Sequence, residues 1–516
     1  RCLAEERLVP SRIPTMSGFK RGTSVPRLFK ALMLRVFDVT GELRIDCDVR
    51  AIQHLRQLYN CSKKLRMECT HERKRKTLKT FFAIEQEIRR GSREWDYDEP
   101  RWDGRDTVHI GQDLSNPHHL EGNLFPQEST CSTGSGSECL SKEYPGALVE
   151  LLESIQTTFD ILSSQLGRFD AQAWQAKHGP GAVSDLNGET SKYVFPSWPD
   201  KLERIFPQAE LAHANLAIWA DFVSNRRKDC DRFSLNEPPS KLILVPKTLK
   251  APRLIASEPV SHQWCQQIVK DFLTARSEQT FIRHFVTFRD QDGNKKLAQQ
   301  GSLNGDVSTI DLSEASDRLS TWLVERVFRG NTSILDALHA SRTRWVVNPI
   351  DPKLPKFHKL RKFACMGSAC TFPVQTIVFL GIALGSTLYE RGLRVTLKNI
   401  RSLRGKVRVF GDDIIVPTDS VESTMVALNY LGLKVNPHKS FWTGRFRESC
   451  GIDAFRGHDV TPIYSMTPPR WSRPESIVSS VATHNNFWNR GYWETAKYIK
   501  STTCSKYSRI PNIEVG

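Results

Sequence analysis

Lys406-Val-Arg-Val-Phe-Gly-Asp-Asp-Ile-Ile-Val-Pro417 holds two β-rich runs on either side of Gly411-Asp412. Val407 and Val409 alternate with charged or aromatic neighbours, and Ile414, Ile415 and Val416 follow the break. A two-residue interruption with glycine where φ > 0 is needed is a hairpin signal. It predicts Asp412 at the turn tip and Asp413 at the start of the return strand. Adjacent carboxylates in such a setting repel, and a divalent cation is the simplest compensation. A solvated Asp-rich turn is the alternative.

Upstream, Gly305 to Leu312 reads as a second strand, with Asp311 on the face of Val307 and Thr309. Ser313 is placed to cap a helix whose apolar stripe is Leu319, Leu323, Val324, Val327 and Phe328. Asp317 then falls in the first helical turn, where a carboxylate also simply favours the helix dipole. Two such strands side by side would bring Asp311 and Asp412 together. Hard oxygen donors around an open site suit Mg2+, which keeps waters and takes substrate phosphates as ligands. Two ions roughly 3.5–4 Å apart can activate an attacking hydroxyl and stabilise a leaving oxygen, the chemistry of nucleotidyl transfer.

Asp311-x5-Asp317, Met366-Gly367-x3-Thr371 and Phe410-Gly411-Asp412-Asp413, in that order, resemble motifs A, B and C of viral RNA polymerases. Leu312-Ser313-x-Ala315-Ser316-Asp317 resembles the replicase beta subunits of RNA bacteriophages (levivirus-like) in particular. So does Phe446-Arg-Glu-Ser-Cys-Gly451, followed by Asp459-Val-Thr-Pro462. The resemblance spans residues 240 to 465. It implies an α+β right-hand polymerase: fingers, a palm with an antiparallel sheet, and a thumb. The implied activity is RNA-directed RNA synthesis from NTPs, copying a viral positive-strand genome. Asp311, Asp412 and Asp413 would be the ligands of two Mg2+ ions, with Mn2+ as the alternative.

Pro246 to Arg253, with two prolines that discourage a helix, reads as an extended basic loop after the apolar run Leu242 to Val245. Lys247, Lys250 and Arg253 resemble the motif F cations that meet a triphosphate, where Arg253 can bind bidentately. Gly367 allows close backbone approach. Ser313, Asp317 and Ser368 are candidate ribose contacts, and Gly367 and Thr371 complete the nucleotide set. Met366 and Gln375 depart from the Ser-Gly and Asn of many viral polymerases. Lys353, Lys356, Lys359, Arg361 and Lys362 form a basic approach for template phosphates. A helix from Val421 to Leu431, capped by Asp419 and Glu422 and stopped by Gly432, precedes Lys439. By resemblance, Lys439 is the acid that protonates departing pyrophosphate; a strand-edge lysine is the alternative.

The 516 residues carry 73 Lys and Arg against 57 Asp and Glu, a formal charge of +16, with a pI near 9.3. That balance favours a polyanionic partner, nucleic acid or an anionic membrane surface. A basic cluster from Lys63 to Lys79 is an RNA-facing surface or a solvated helix face. Twelve cysteines without a Cys-x-x-Cys pair read as reduced thiols in a cytosolic compartment. Ala364 to Tyr389 is charge-free and imitates a membrane span, but Thr371, Gln375, Thr376, Ser386 and Pro373 within it favour a buried helix. Asp96 to Asp106 reads as an exposed acidic loop, and Ser129 to Ser141 as a flexible connection. Met16 opens a plausible start, which would leave residues 1–15 upstream of it.

The expected organisation is a helical basic region over 1–175, fingers with the entry loop 241–259 over 176–305, a palm over 306–440 with an insertion at about 330–362, and motif E with the thumb and tail over 441–516. The resemblance also implies single-stranded RNA template and nascent RNA as partners, host translation elongation factors, a ribosomal protein, and a bacterial host cytoplasm. A reverse transcriptase, a mitovirus- or narnavirus-type polymerase, and a non-enzymatic basic RNA-binding or membrane-associated protein are the rival readings.

Overall fold

Val307–Ser313 is a strand because β-branched and apolar residues run through it with both faces covered; Val307, Ile310 and Leu312 are all buried. The computed structural model describes residues 2–8, 25–26, 28–89, 91, 145–186, 192–193, 195–213, 215–225, 237–248, 251–467, 470 and 473–504. Met16, Lys250, the acidic stretch 96–106 and the connection 129–141 lie outside the described residues.

Helix and sheet are mixed. The strands, in chain order, are β1 (Ser240–Val245), β2 (Arg253–Ser257), β3 (Val307–Ser313), β4 (Trp345–Val347), β5 (Phe357–Lys359), β6 (Arg408–Phe410), β7 (Asp413–Pro417), β8 (Lys434–Val435), β9 (Phe446–Ser449), β10 (Ile452–Phe455) and β11 (His458–Asp459). They form three sheets ordered β2-β1-β4-β5, β6-β7-β3-β8 and β11-β10-β9. In the middle sheet every pairing is antiparallel. The β9–β10 hairpin turns on Cys450 (φ 49°) and Gly451 (φ 84°), the pair of positive φ values that a two-residue hairpin turn favours. The Arg447 guanidinium pins this hairpin to β3, donating from Nε to the Val307 carbonyl at 2.6 Å.

The apolar helix Thr371–Glu390, charged only at its last residue, is long and apolar enough to cross a membrane, yet it is buried in the protein. It lies against the helix Pro145–Leu166, whose Ile155, Phe159 and Leu162 are fully buried in the same core as Ile377, Val378, Phe379 and Leu380. Burying each such side chain is worth roughly 1.5–3 kcal/mol, which holds the helix inside. A second core joins Leu3, Leu8, Val36, Phe37, Ile52 and Leu55 to Phe441, Phe446 and Phe455. The described cysteines are free thiols.

Two expected helix caps fall elsewhere. Ser313 ends β3 instead of capping, because Glu314 takes φ 49° and the chain turns first. Ser320 is the cap, accepting the Leu323 N–H at 3.1 Å, so Asp317 sits in the turn and not in the helix. At the buried helix, Cys370 occupies the cap position without a side-chain bond, while the Thr371 hydroxyl donates to the Cys365 carbonyl at 2.8 Å. Helix Val421–Tyr430 lacks the Asp419/Glu422 capping box; Asp419 is in a preceding helical turn, Thr418–Ser420, and pairs with Arg391 at 3.0 Å. Gly432 does stop that helix, at φ 84°.

Candidate active site

Asp311 and Asp413 are direct partners across the β3–β7 ladder. Opposed residues of an antiparallel pair have Cα atoms ~4.5–5.5 Å apart and side chains on one face. Asp412 immediately precedes Asp413, in the turn between β6 and β7, so its Cα is within about 10 Å of that of Asp311. The hairpin forms as its sequence predicts: Phe410 pairs with Asp413, and Gly411 takes φ 60°. A Cβ on Gly411 would stand 2.8 Å from the Phe372 ring, and its N–H donates to Thr376 Oγ1 at 3.1 Å. The buried helix thus supports the turn from behind. As the sequence predicts, the turn consumes Gly411 and Asp412 and leaves Asp413 as the first residue of the return strand, opposite Asp311.

The Asp412 charge acts on both of its neighbours. Burial, then Asp412, then Asp311 push Asp413 up to about 7, against hydrogen bonds from Cys450 that stabilise its charge. Burial also raises Asp311; Asp412 adds to this and Lys439 opposes it. Burial and the Asp413 charge push the Cys450 thiol up to about 12.

Asp311 is held by residues that the sequence reading passed over. Asn436 Nδ2 donates to Asp311 Oδ2 at 3.0 Å, and the Asn436 N–H donates to the Asp311 carbonyl at 2.8 Å. Ser440 Oγ accepts the Asp311 N–H at 3.1 Å. The Asn-Pro dipeptide at 436–437 was the available signal, since asparagine before proline favours a turn. That turn brings Lys439 to the site, with Nζ 3.5 Å from Asp311 Oδ1. Burial works against the Lys439 charge, but Asp311 and Glu448 outweigh it and raise its pKa.

Lys247, two residues past β1, and Arg253, the first residue of β2, are both exposed. Burial and the neighbouring Arg253 and Lys439 cations lower the Lys247 pKa, while Asp412 and Asp311 pull it up, so Lys247 shares an electrostatic environment with the carboxylates. Gly367 takes φ 128°, and a Cβ there would overlap the Ala256 carbonyl oxygen. The Ala256 N–H donates to the Met366 carbonyl at 2.7 Å, so the 365–371 loop docks on β2. Ser368 Oγ is turned to its own loop, accepting the Cys370 N–H at 3.3 Å.

The basic approach is divided. Lys353 and Lys356 are exposed and Lys359 is half-buried on β5. The Arg361 guanidinium bonds the Gln86 carbonyl at 3.2 Å. Lys362 is not available to RNA: it is fully buried, with Nζ 2.9 Å from Asp317 Oδ1 and 3.3 Å from Glu85 Oε1. In the basic cluster before residue 80, Lys64 lies over the Tyr464 ring at 4.0 Å and Arg75 pairs with Asp351 at 3.1 Å.

Among the described residues no three His, Cys, Asp or Glu side chains form a ready-made metal cluster. The donor set still fits Mg2+: hard oxygens only, repelling one another, around a site in which Asp412 is exposed. Mg2+ is commonly held by one or two carboxylates, with water and phosphate completing its shell.

The family described as "RNA replicase, beta-chain" matches residues 169–471. The RNA-directed RNA polymerase beta chain of Enterobacteria phage fr is 33% identical over 225 residues, 43% of this chain and 37% of its own length. The RNA-directed RNA polymerase subunit beta of Enterobacteria phage SP is 34% identical over 280 residues, 53% of this chain and 45% of its own. The matched stretch thus spans less than half the length of either relative. A solved structure of the BmCPV RNA-dependent RNA polymerase at elongation state aligns over 70% of this chain and 33% of its own, at 12% identity and a TM-score of 0.40, too low to bear on the fold. The family match contains the Asp311, Asp317, Gly367 and Asp412-Asp413 motifs and reaches well upstream of them. The chain belongs to the RNA replicase beta-chain family.

Proposed function

We propose that the chain is an RNA-directed RNA polymerase that joins NTPs on a single-stranded RNA template. The observation that carries this reading is the pairing of Asp311 with Asp413 beside the Asp412 turn, with Lys439 and Lys247 against the same carboxylates. Asp311, Asp412 and Asp413 would hold two Mg2+ ions, or Mn2+ in their place, which supply Lewis acidity to the attacking hydroxyl and the leaving oxygen. Lys247 and Arg253, with Lys250, receive the triphosphate and offset its charge. Asp317 and Ser313 would contact the ribose, with Gly367, Ser368 and Thr371 completing the nucleotide set. Lys439 donates a proton to departing pyrophosphate. Its pKa is held up by Asp311, so engagement of the Asp311 charge by a cation makes it a stronger acid.

In this reading the β6-β7-β3-β8 sheet is the palm, within 306–440. The β1–β2 hairpin belongs to the fingers over 176–305, the first 175 residues extend the fingers side, and 441–516 carries motif E and the thumb. Lys356, Lys359 and Arg361 line the template approach. The template is a viral positive-strand genome in a bacterial host cytoplasm. Host translation elongation factors and a ribosomal protein are partners by family resemblance.

Purified protein with labelled nucleotides, an RNA template and Mg2+, with and without host extract, tests the reading. Ribonucleotide incorporation is expected, and Asp412→Asn abolishes it while RNA binding persists. Preferential dNTP incorporation would make the chain a reverse transcriptase, and unaltered activity in Asp412→Asn would remove the carboxylates from the chemistry.

A further inference from the structure

Glu85 lies on the helix His71–Glu87, outside the family-matched residues, yet it is completely buried. Its Oε2 accepts the Arg361 N–H at 2.6 Å and stands 3.3 Å from His358 Nε2, and its Oε1 is 3.3 Å from Lys362 Nζ. Lys362 is equally buried, and its Nζ also donates to Asp317 Oδ1 at 2.9 Å and sits 3.6 Å from the Phe81 ring centroid. Asp317 keeps 16% of its side chain open. One buried ammonium is therefore shared between two carboxylates, one sealed in the protein and one reachable from solvent. The backbone fixes this arrangement: Phe363 N–H donates to the Leu319 carbonyl at 2.7 Å and Thr321 N–H to the Arg361 carbonyl at 3.0 Å.

Removing an ammonium from water costs several kcal/mol, and here both carboxylates and the aromatic face offset it. Burial disfavours the Lys362 charge, but Asp317 and Glu85 together keep it protonated. The sharing matters for Asp317. With Glu85 taking part of the positive charge, Asp317 remains a strong anionic acceptor; with Lys362 resting on Asp317 alone, the pair is neutral and accepts weakly.

We infer that Glu85 is a positioning residue for nucleotide selection: through Lys362 it orients the Asp317 carboxylate and leaves it anionic enough to accept a hydrogen bond from a ribonucleotide's sugar hydroxyl. The inference rests on the polymerase reading above and adds to it a determinant supplied by the N-terminal region.

Single-nucleotide incorporation on an RNA template by the full chain tests it, with matched rNTP and dNTP. Glu85→Gln raises the KM for the rNTP about tenfold, the size expected for a charge-assisted hydrogen bond, and leaves the dNTP KM and both maximal rates in place. Asp317→Asn gives the same loss, and the double variant loses no more than Asp317→Asn alone, because Glu85 acts through Asp317. A KM change shared equally by both nucleotides, no change, or additive losses overturns the inference. Should Glu85→Gln lose its melting transition, Glu85→Asp replaces it, keeping the charge but shortening its reach, with a smaller ribonucleotide-only rise expected and the same overturning outcomes. Wild-type protein that incorporates neither nucleotide sinks the polymerase reading itself.

Discussion

Asp311 and Asp413 face each other across the β3–β7 ladder, Asp413 being the first residue after the turn that carries Asp412. This is an expensive place for two carboxylates, and stability is expected to depend on pH and, in the polymerase reading, on divalent cations.

Asp413 is raised from an ordinary 3.8 to about 7 in the folded chain. Between those values the folded state binds the proton more tightly than the unfolded state. Its stabilising contribution is therefore complete below about pH 4 and is lost as pH rises through 7. Mg2+ offsets the exposed charge, so it should raise Tm by a few degrees at pH 8 and hardly at all at pH 5. Melting curves with Mg2+ and with chelator at both pH values check this; an equal shift at pH 5 would contradict it.

Asn436 anchors Asp311 through Oδ2 and through the backbone. Asn436→Ala removes the side-chain donor to a carboxylate, an interaction worth about 1.5–3 kcal/mol. Maximal incorporation should fall by about tenfold or more with little change in Tm. Steady-state kinetics paired with thermal melts separates this outcome from simple unfolding.

Lys439→Leu removes the proposed proton donor beside Asp311. Synthesis should slow by about a hundredfold, as for loss of a general acid, with the NTP KM nearly unchanged. The solvent deuterium isotope effect on incorporation should shrink in the variant. An undiminished isotope effect would assign Lys439 an electrostatic role only.

A separate buried cluster makes the fold acid-sensitive. Glu237 pairs with Lys201 at 2.8 Å and with Arg344 at 2.6 Å, and His262 lies 3.9 Å from the same carboxylate. Burial, with the Lys201 charge adding to it and Glu237 opposing, lowers His262 to about 3. A folded pKa below the ordinary 6.5 means that acid favours the unfolded chain, so stability falls from pH 6.5 toward 3. The urea midpoint should be lower at pH 5 than at pH 7, and His262→Gln should narrow that difference.

The β6–β7 hairpin was legible because its signal is local: alternation, a glycine, and two aspartates within twelve residues. The burial of the 371–390 helix was legible from the polar interruptions that a lipid-facing helix would not carry. Which residue of β3 opposes Asp413 was not, since the pairing of two strands far apart in the chain leaves no local pattern. The helix start slipped at Ser313, where Glu314 in a left-handed conformation delays the helix to Ser320. Lys362 was grouped with the phosphate-facing cations because a run of basic residues does not reveal which side chain points inward. Its partner Glu85 is separated from neighbouring Arg361 by 276 positions, and no local pattern links them. Asn436 and Ser440 were passed over because their role depends on the β3–β8 pairing that presents them to Asp311.

The core that joins Ile52 and Leu55 to Phe446 and Phe455 also sets a schedule for synthesis. Arg56 Nε donates to the Val460 carbonyl across 404 positions of chain. At ~5–20 residues per second, a ribosome takes roughly 20–80 s to supply the far half of that contact. Throughout this interval the early helices keep greasy faces without their native cover, so prematurely terminated products should be sticky and readily captured by chaperones or proteases.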